Sequence, residues 1–279
     1  MSTNPTGEGI GELYDRLMPL FQILNGNNVH FGYWADPTDD QLPMDQAQEK
    51  LTDFFIPQMQ ARPGQHILDV GCGAGQATVR LAWATGAHVT GITLSPVQRE
   101  VATELAQAAG VADRVRFEVA DAMAMPFAPA SFDMAWAIES PIHMPSRLQM
   151  FQNLVRVVRP GGRVMITDVV LAHPLAPEQA AVIRSMFNIE QVGSLEEYIT
   201  QMKTAGIMKI TCQDLTANIW RPFHRHGLVK LHDAAIVAQL REHYDDAMIQ
   251  SFREGWQVLT DASDRFFYVV LIGECPPAA

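Results

Sequence analysis

His66-Ile67-Leu68-Asp69-Val70-Gly71-Cys72-Gly73-Ala74-Gly75 is the stretch on which the fold turns. A short apolar run ends in a cluster of small residues, and a helix-like pattern carrying Val79, Leu81 and Ala82 follows. That order predicts a buried parallel strand, a tight turn and a helix. In open α/β sheets ligands bind beyond the carboxyl ends of the strands, where glycines let a ligand approach the backbone. A dinucleotide suits this turn poorly. The third small residue of the dinucleotide fingerprint is replaced by Gln76, and the next strand ends Val89-Thr90-Gly91-Ile92-Thr93 without a ribose-binding carboxylate. No Gly-Lys-Ser/Thr follows the glycines, so a phosphate loop is absent as well. What remains is a glycine turn with Asp69 just upstream. A carboxylate there suits a ligand bearing an amino group or a positive charge better than a polyphosphate.

Outward from this strand the pattern alternates. Strands are expected at 66–70, 87–93, 114–119, 132–137 and 162–170, with helical patterns near 75–84, 96–109 and 146–157 between them. Such alternation implies a parallel sheet with helices on its faces. Helical stretches near 11–25 and 44–60 precede the first strand. Late in the chain, 209–216 and 265–274 read as two further strands, separated by a helical segment at about 217–264. That segment is either a lid over the site or a plain helical insertion packed on the sheet. Residues 1–10 are expected as a disordered tail, and 11–279 as a single domain whose helical cap covers about 11–60.

Composition narrows the partners. The formal net charge is −11 and no long basic run exists, which argues against nucleic acid and against an anionic membrane surface. No apolar run reaches the roughly 20 residues of a membrane span, and Met1 to Gly11 lacks the charged-then-apolar layout of a signal peptide. Cys72, Cys212 and Cys275 are odd in number and not spaced as a metal site, so a reduced cytoplasm and no bound metal are expected.

Five ordered segments carry a family resemblance: Leu68 to Gly75, Gly91 to Gln98, Ala120-Asp121-Ala122, Phe132 to Glu139, and Arg159 to Val164. Together they resemble the S-adenosylmethionine (SAM)-dependent methyltransferases with a Rossmann-like fold, over about residues 12 to 275. The segments Asn28-Val29-His30-Phe31-Gly32-Tyr33-Trp34 and Glu139-Ser140-Pro141-Ile142-His143-Met144 narrow the resemblance. They are similar to small-molecule enzymes of secondary metabolism: sugar O-methyltransferases of the rebeccamycin type, the spinosyn cyclase, and the sterol, tocopherol and cyclopropane-fatty-acid methyltransferases. The resemblance implies an α/β fold: a seven-stranded, mostly parallel Rossmann-like sheet flanked by helices. It also implies an N-terminal helical cap and a helical lid inserted between the last two strands. It leaves a homodimer open.

The same resemblance implies a cofactor site. Gly71, Cys72 and Gly73, with the helix start at Gln76, would bring backbone N–H groups to the methionine carboxylate. Asp69 would meet the amino end, or instead bond nearby backbone. Thr93, Leu94 and Gln98 would take the ribose in place of the usual carboxylate. Asp121, an acceptor, would select the adenine amino group beside Ala122, with Met123 and Met125 either on the adenine face or in the core. Tyr14, Tyr33 and Trp34 would close over the sulfonium, and Glu139 completes the set.

Methyl transfer is an in-line displacement whose main demand is alignment, and a general base adds roughly 10²–10⁴ where the acceptor must lose a proton. His143, after the fourth strand, is the candidate base, and Asp168 would orient it or polarise the acceptor. The resembled sugar enzymes carry two adjacent histidines here, whereas this chain has Ile142 before His143. Ile142, Met186, Phe187, Trp220, Phe223 and His224 are the candidate acceptor pocket. The expected activity is methylation, at oxygen, of a small and largely apolar natural product. The alternatives are C-methylation of a prenyl, sterol or quinone-like acceptor, and a cyclase that binds SAM without consuming it.

Overall fold

Strand β1 (His66–Val70) sits at the centre of the sheet. Ile67, Leu68 and Val70 are fully buried, as a parallel strand covered on both faces requires. The computed structural model describes residues 7–277 apart from 27, 40, 188, 190 and 191, and only the backbone of 8, 10, 186, 187 and 221. β1 pairs in parallel with β2 (His88–Thr93) on one side and β4 (Phe132–Ile138) on the other. β3 (Val115–Val119) extends the sheet beyond β2, and β5 (Val158–Leu171) beyond β4, both parallel. β7 (Phe266–Glu274) runs antiparallel to β5, and β6 (Met208–Asp214) antiparallel to β7. The order is β3-β2-β1-β4-β5-β7-β6. It reverses direction at β1, and a crevice opens where the loops after β1 and β4 diverge.

Alternate residues of the strands build two cores. Ile67, Val89, Phe117 and Trp136 pack with Leu51 and Phe55 of α2 (Met44–Met59), Leu81 of α3 (Gln76–Thr85) and Ala102 of α4 (Pro96–Ala108). Leu68, Val70, Ala135 and Ile166 face the other way, toward α5 (Arg147–Val157) and α7 (Leu195–Thr204). A third core ties the chain's beginning to its late insertion. Leu20 and Leu24 of α1 (Gly7–Asn25) meet Trp34, then Phe223 and Leu231 of α8 (Trp220–His232), Leu240 of α9 (Ala234–Leu240), and Ile249, Phe252 and Trp256 of α10 (Asp246–Asp261). The cap and the helices inserted between β6 and β7 therefore pack as one body.

The structure departs from expectation at three places. α1 begins at Gly7, inside the stretch read as a tail. β5 begins at Val158 rather than 162, because the Arg159-Pro160-Gly161-Gly162 bend stays within the ladder and Cys275 N–H donates to the Gly162 carbonyl at 2.9 Å. Two helices between β5 and β6 had gone unread: α6 (Pro177–Phe187) and α7. Both carried start signals. Pro177 opens α6, and Ser194 with Glu197 forms a reciprocal capping box on α7.

Candidate active site

The strand order places the loops after β3, β2, β1 and β4 side by side along one edge of the sheet. The cleft there is open to solvent at its mouth, and its empty space, that mouth included, is about 880 Å³. Its wall runs from Asp121, Ala122 and Met123 after β3, through Thr93, Leu94 and Gln98 after β2 and Gly71 and Gly73 after β1, to Glu139, Ser140 and His143 after β4. Strands about 4.8 Å apart make this a trough about 14 Å long, suited to a ligand with three parts in line. Tyr14 of α1, with Val29 and His30 of the following loop, covers it.

At the β1 end the backbone turns through Gly71 at φ +74° and Gly75 at φ +87°. A side chain at Gly75 would sit 2.6 Å from the Ala102 Cβ. The Gly71 and Cys72 N–H groups both donate to the Ile92 carbonyl at 2.9 Å. This corrects the expected role of those two donors: they hold the turn together. Cys72 turns its side chain toward Gly91. Asp69 lies buried beneath the turn, where the Thr78 hydroxyl donates to it at 2.5 Å. Burial pushes its carboxyl up to about 6, against the pull of Thr78 and Trp136. Of the two readings of Asp69, the internal bond is the one present, and its partner is a side chain. Neither Cys72 nor Gln76, the first residue of α3, lines the cleft.

After β2, the Thr93 hydroxyl donates to the Gln98 side-chain carbonyl at 2.7 Å, and both residues are buried at the wall. Ser95 caps α4 by accepting from Gln98 N–H at 2.9 Å, and its hydroxyl donates to Asp15 of α1. After β3, Asp121 accepts the Met123 N–H at 2.8 Å and still borders the cleft. Met123 lines the cleft, whereas Met125 is core.

The β4 end holds the titratable groups. Glu139 stands at φ +54°, uncommon for a residue with a side chain and a mark of imposed local conformation. Its carboxyl accepts the Phe31 N–H at 2.9 Å and the Tyr268 hydroxyl at 2.7 Å. Burial pushes it up to about 8; the two donors pull it down and Asp168 adds to the rise. The Tyr14 hydroxyl lies 2.7 Å from His143 Nε2. Burial, then the charges of Glu139 and Asp168, raise the Tyr14 phenol far above its usual range. The phenol stays protonated, and the His143 tautomer sets which of the two partners donates.

Several expected site residues lie elsewhere. Asp168 is buried, accepts the Tyr198 hydroxyl at 2.6 Å and its neighbour Val169 N–H at 2.8 Å, and does not line the cleft. Tyr14, not Asp168, is the partner seen on His143 Nε2. Tyr33 stacks on Phe54 with centroids 4.9 Å apart, and fully buried Trp34 stacks on His226 at 5.1 Å. The Tyr33 N–H donates to Ala47 and the Trp34 N–H to Asn218, which turns both rings away from the cleft. Val29 and His30 of that loop face it instead. His30 is a neutral imidazole, lowered to about 4 by burial; its Nδ1–H donates to the Phe31 carbonyl at 2.7 Å. Ile142 packs against the first core. Trp220, Phe223 and His224 form an aromatic cluster around Phe31, behind Glu139 rather than on the cleft wall. The side chains of Met186 and Phe187 lie outside the described residues. Gly11, Ile92, Ile138, Met144 and Pro145 also line the cleft. These are small or apolar residues next to motif positions, with no chemical signature of their own.

Comparison with known proteins agrees with this geometry. A methyltransferase-domain family model matches residues 67–162. The 27-O-demethylrifamycin SV methyltransferase of Amycolatopsis mediterranei is 38% identical, over 77% of this chain and 79% of its own length. The (+)-O-methylkolavelool synthase of Herpetosiphon aurantiacus is 32% identical, over 96% of this chain and 94% of its own. The crystal structure of the [4+2]-cyclase SpnF superposes with a TM-score of 0.82 at 25% identity, covering 98% of this chain and 97% of that one. The chain belongs to the class I SAM-dependent methyltransferases. Its cofactor is SAM, and among the described residues no helix is long and apolar enough to cross a membrane.

Proposed function

We propose that the protein transfers the SAM methyl group to a hydroxyl of a small, largely apolar natural product. Adenine would lie at Asp121 and Ala122, ribose at Thr93 and Gln98, and the methionine end at Gly71 and Gly73, with the reactive carbon toward Glu139 and His143. Bound there, SAM supplies an activated methyl group on a sulfonium leaving group. The rest falls to the chain. Tyr14 and His30 exclude water from above. His143 accepts the acceptor's proton at Nε2, where the acceptor hydroxyl takes the place of the Tyr14 phenol. That hydrogen-bonded pair at the β4 end of the cleft is the observation that carries the reading. No Lys or Arg among the described residues lines the cleft, and burial holds the nearby His224 neutral, lowered to about 3. Trp220, Phe223 and His224 would meet the acceptor's apolar body, with the inserted helices as a lid. The relatives' names, which include O-methylation of rifamycin and kolavelool skeletons, support oxygen and secondary metabolism. A reducing cytoplasm suits the three free cysteines.

The likeness to SpnF and the apolar Ile142 favour one second reading, ring closure without consumption of SAM. Formation of S-adenosylhomocysteine with a screened hydroxyl acceptor decides between them, since a cyclase makes none. His143→Ala is expected to slow transfer tenfold or more while SAM affinity stays within a few-fold. A near-normal rate removes the base role.

A further inference from the structure

Asp69 and Asp168 lie buried near the carboxyl ends of the central strands, Glu139 lies half-buried there, and the three are not equivalent. Asp69 is bonded under the glycine turn by Thr78, and Asp168 is bonded by Tyr198 and Val169 N–H; neither lines the cleft. Glu139 does. It stands at the β4 end of the trough, opposite the adenine end marked by Asp121. The next residue ties this position to the methionine end, because the Ser140 hydroxyl donates to the Val70 carbonyl at 2.5 Å, one residue before Gly71. Two donors from separate elements fix the carboxyl in place: Phe31 N–H from the loop over the cleft, and the Tyr268 hydroxyl from β7. The Tyr268 hydroxyl also lies 3.1 Å from Thr167 Oγ1. Among the described residues no cation is paired with it. The ionisable groups packed around it are Tyr14 from α1, His30 from the loop, His143 after β4, Asp168 on β5 and Tyr268 on β7. Tyr14 and Tyr268 are held protonated by burial, His30 is held neutral, and Asp168 repels. Arg147, a buried guanidinium, stands over the Tyr198 ring, 4.8 Å from its centroid, and acts on Asp168.

We propose that Glu139 is the counter-ion of the donor's sulfonium: ionised when the charged donor fills the cleft, protonated when the cleft is empty or holds the neutral demethylated product. This rests on SAM lying along the trough as described above. The chemistry follows from charge alone. The donor and its product differ by one methyl group and one positive charge. A desolvated carboxyl without a cation favours its neutral form, and a sulfonium nearby restores the charged form. The raised carboxyl of Glu139, at about 8, agrees with this, because a neutral acid at pH 7 has a proton to give up. Binding SAM then releases that proton. Binding S-adenosylhomocysteine leaves it in place, and transfer of the methyl group removes the reason for the carboxylate to stay ionised. Glu139 thus separates fresh donor from spent product by their one electrostatic difference, at a site the acceptor need not touch.

The test is isothermal titration calorimetry of the full chain at pH 7 in two buffers of different ionisation enthalpy. SAM is expected to release close to one proton more from the wild type than from Glu139→Gln; S-adenosylhomocysteine should show no such difference. SAM affinity should rise up to about tenfold per pH unit from pH 6 to 8 and then level off. Glu139→Gln should flatten that rise. Tyr268→Phe, which removes a donor to the carboxylate and leaves Glu139 present, should move the rise to higher pH, and it serves if Glu139→Gln fails to fold. Equal proton release for both ligands, or a rise that neither variant alters, overturns the proposal while the SAM site stands. A complete lack of SAM binding would remove the site itself and the proposal with it.

Discussion

Asp69, Glu139 and Asp168 share one predicament: Asp69 and Asp168 are buried and Glu139 half-buried, each with too few donors to replace the water it has lost, and each carboxyl is raised, to about 6, 8 and 7. An acid whose folded pKa lies above its unfolded value of about 4 disfavours folding as pH climbs through that window. His30 and His224 act oppositely. Lowered to about 4 and about 3, they oppose folding only below the unfolded value of about 6.5, where they would have to charge. Between pH 6.5 and 8.5 the histidines are silent and the carboxyls govern. The denaturant midpoint of the cofactor-free protein is expected to fall across that range, and Asp168→Asn to lessen the fall; a flat or rising midpoint contradicts this. Asp121 borders the cleft. Asp121→Ala should weaken SAM binding about tenfold, as loss of a hydrogen bond to a charged group of about 1.5 kcal/mol requires. Unchanged affinity would displace the adenine from Asp121. At this scale the sequence was legible in placement, since Thr93, Asp121 and His143 all line the cleft. It was illegible where the backbone decides. Nothing local tells that Trp34 turns inward to stack on His226 while His30 faces the cleft, because hydrogen bonds to Ala47 and Asn218, remote in the chain, choose the ring's direction.

α1 shows how an element takes its role from what grips it. The Tyr244 hydroxyl donates to the Arg16 carbonyl at 2.8 Å and accepts the Leu20 N–H at 3.1 Å, and Lys230 donates to the Leu24 carbonyl. Asp15 accepts from Ser95 beside the ribose end, and Tyr14 reaches His143. One helix therefore touches the cofactor strand ends, the candidate base and the inserted helices. Tyr244→Phe removes both of that residue's bonds to α1. It should lower unfolding free energy by about 1–2 kcal/mol and speed amide exchange along α1, with β1 to β5 still protected. Unchanged exchange in α1 would show that the shared apolar core alone holds the cap. The strands were legible because each buried one reads as an apolar run ending in a turn. α6 and α7 were not, although Pro177 and the Ser194–Glu197 box announce their starts. They lie in the β5–β6 connection, outside the strand–helix alternation that located the other helices of the sheet.

Across the whole molecule, one arrangement explains most of the rest. The order β3-β2-β1-β4 lays four loops in a row, so a ligand read from one end to the other meets an acceptor for an amino edge, a hydroxyl–amide pair, a glycine turn and a half-buried carboxyl. Motif order along the chain therefore made the class of cofactor legible. The acceptor was not, because the cap and the inserted helices come from segments far apart in sequence and meet only in the third core. The measurement that bears most directly on this arrangement is a crystal structure with S-adenosylhomocysteine. The adenine amino group should meet Asp121, the ribose should lie against Thr93 and Gln98, and the sulfur should point toward Glu139 and the Tyr14–His143 pair. An adenine at the β4 end, or a nucleoside bound away from these four loops, would contradict the account.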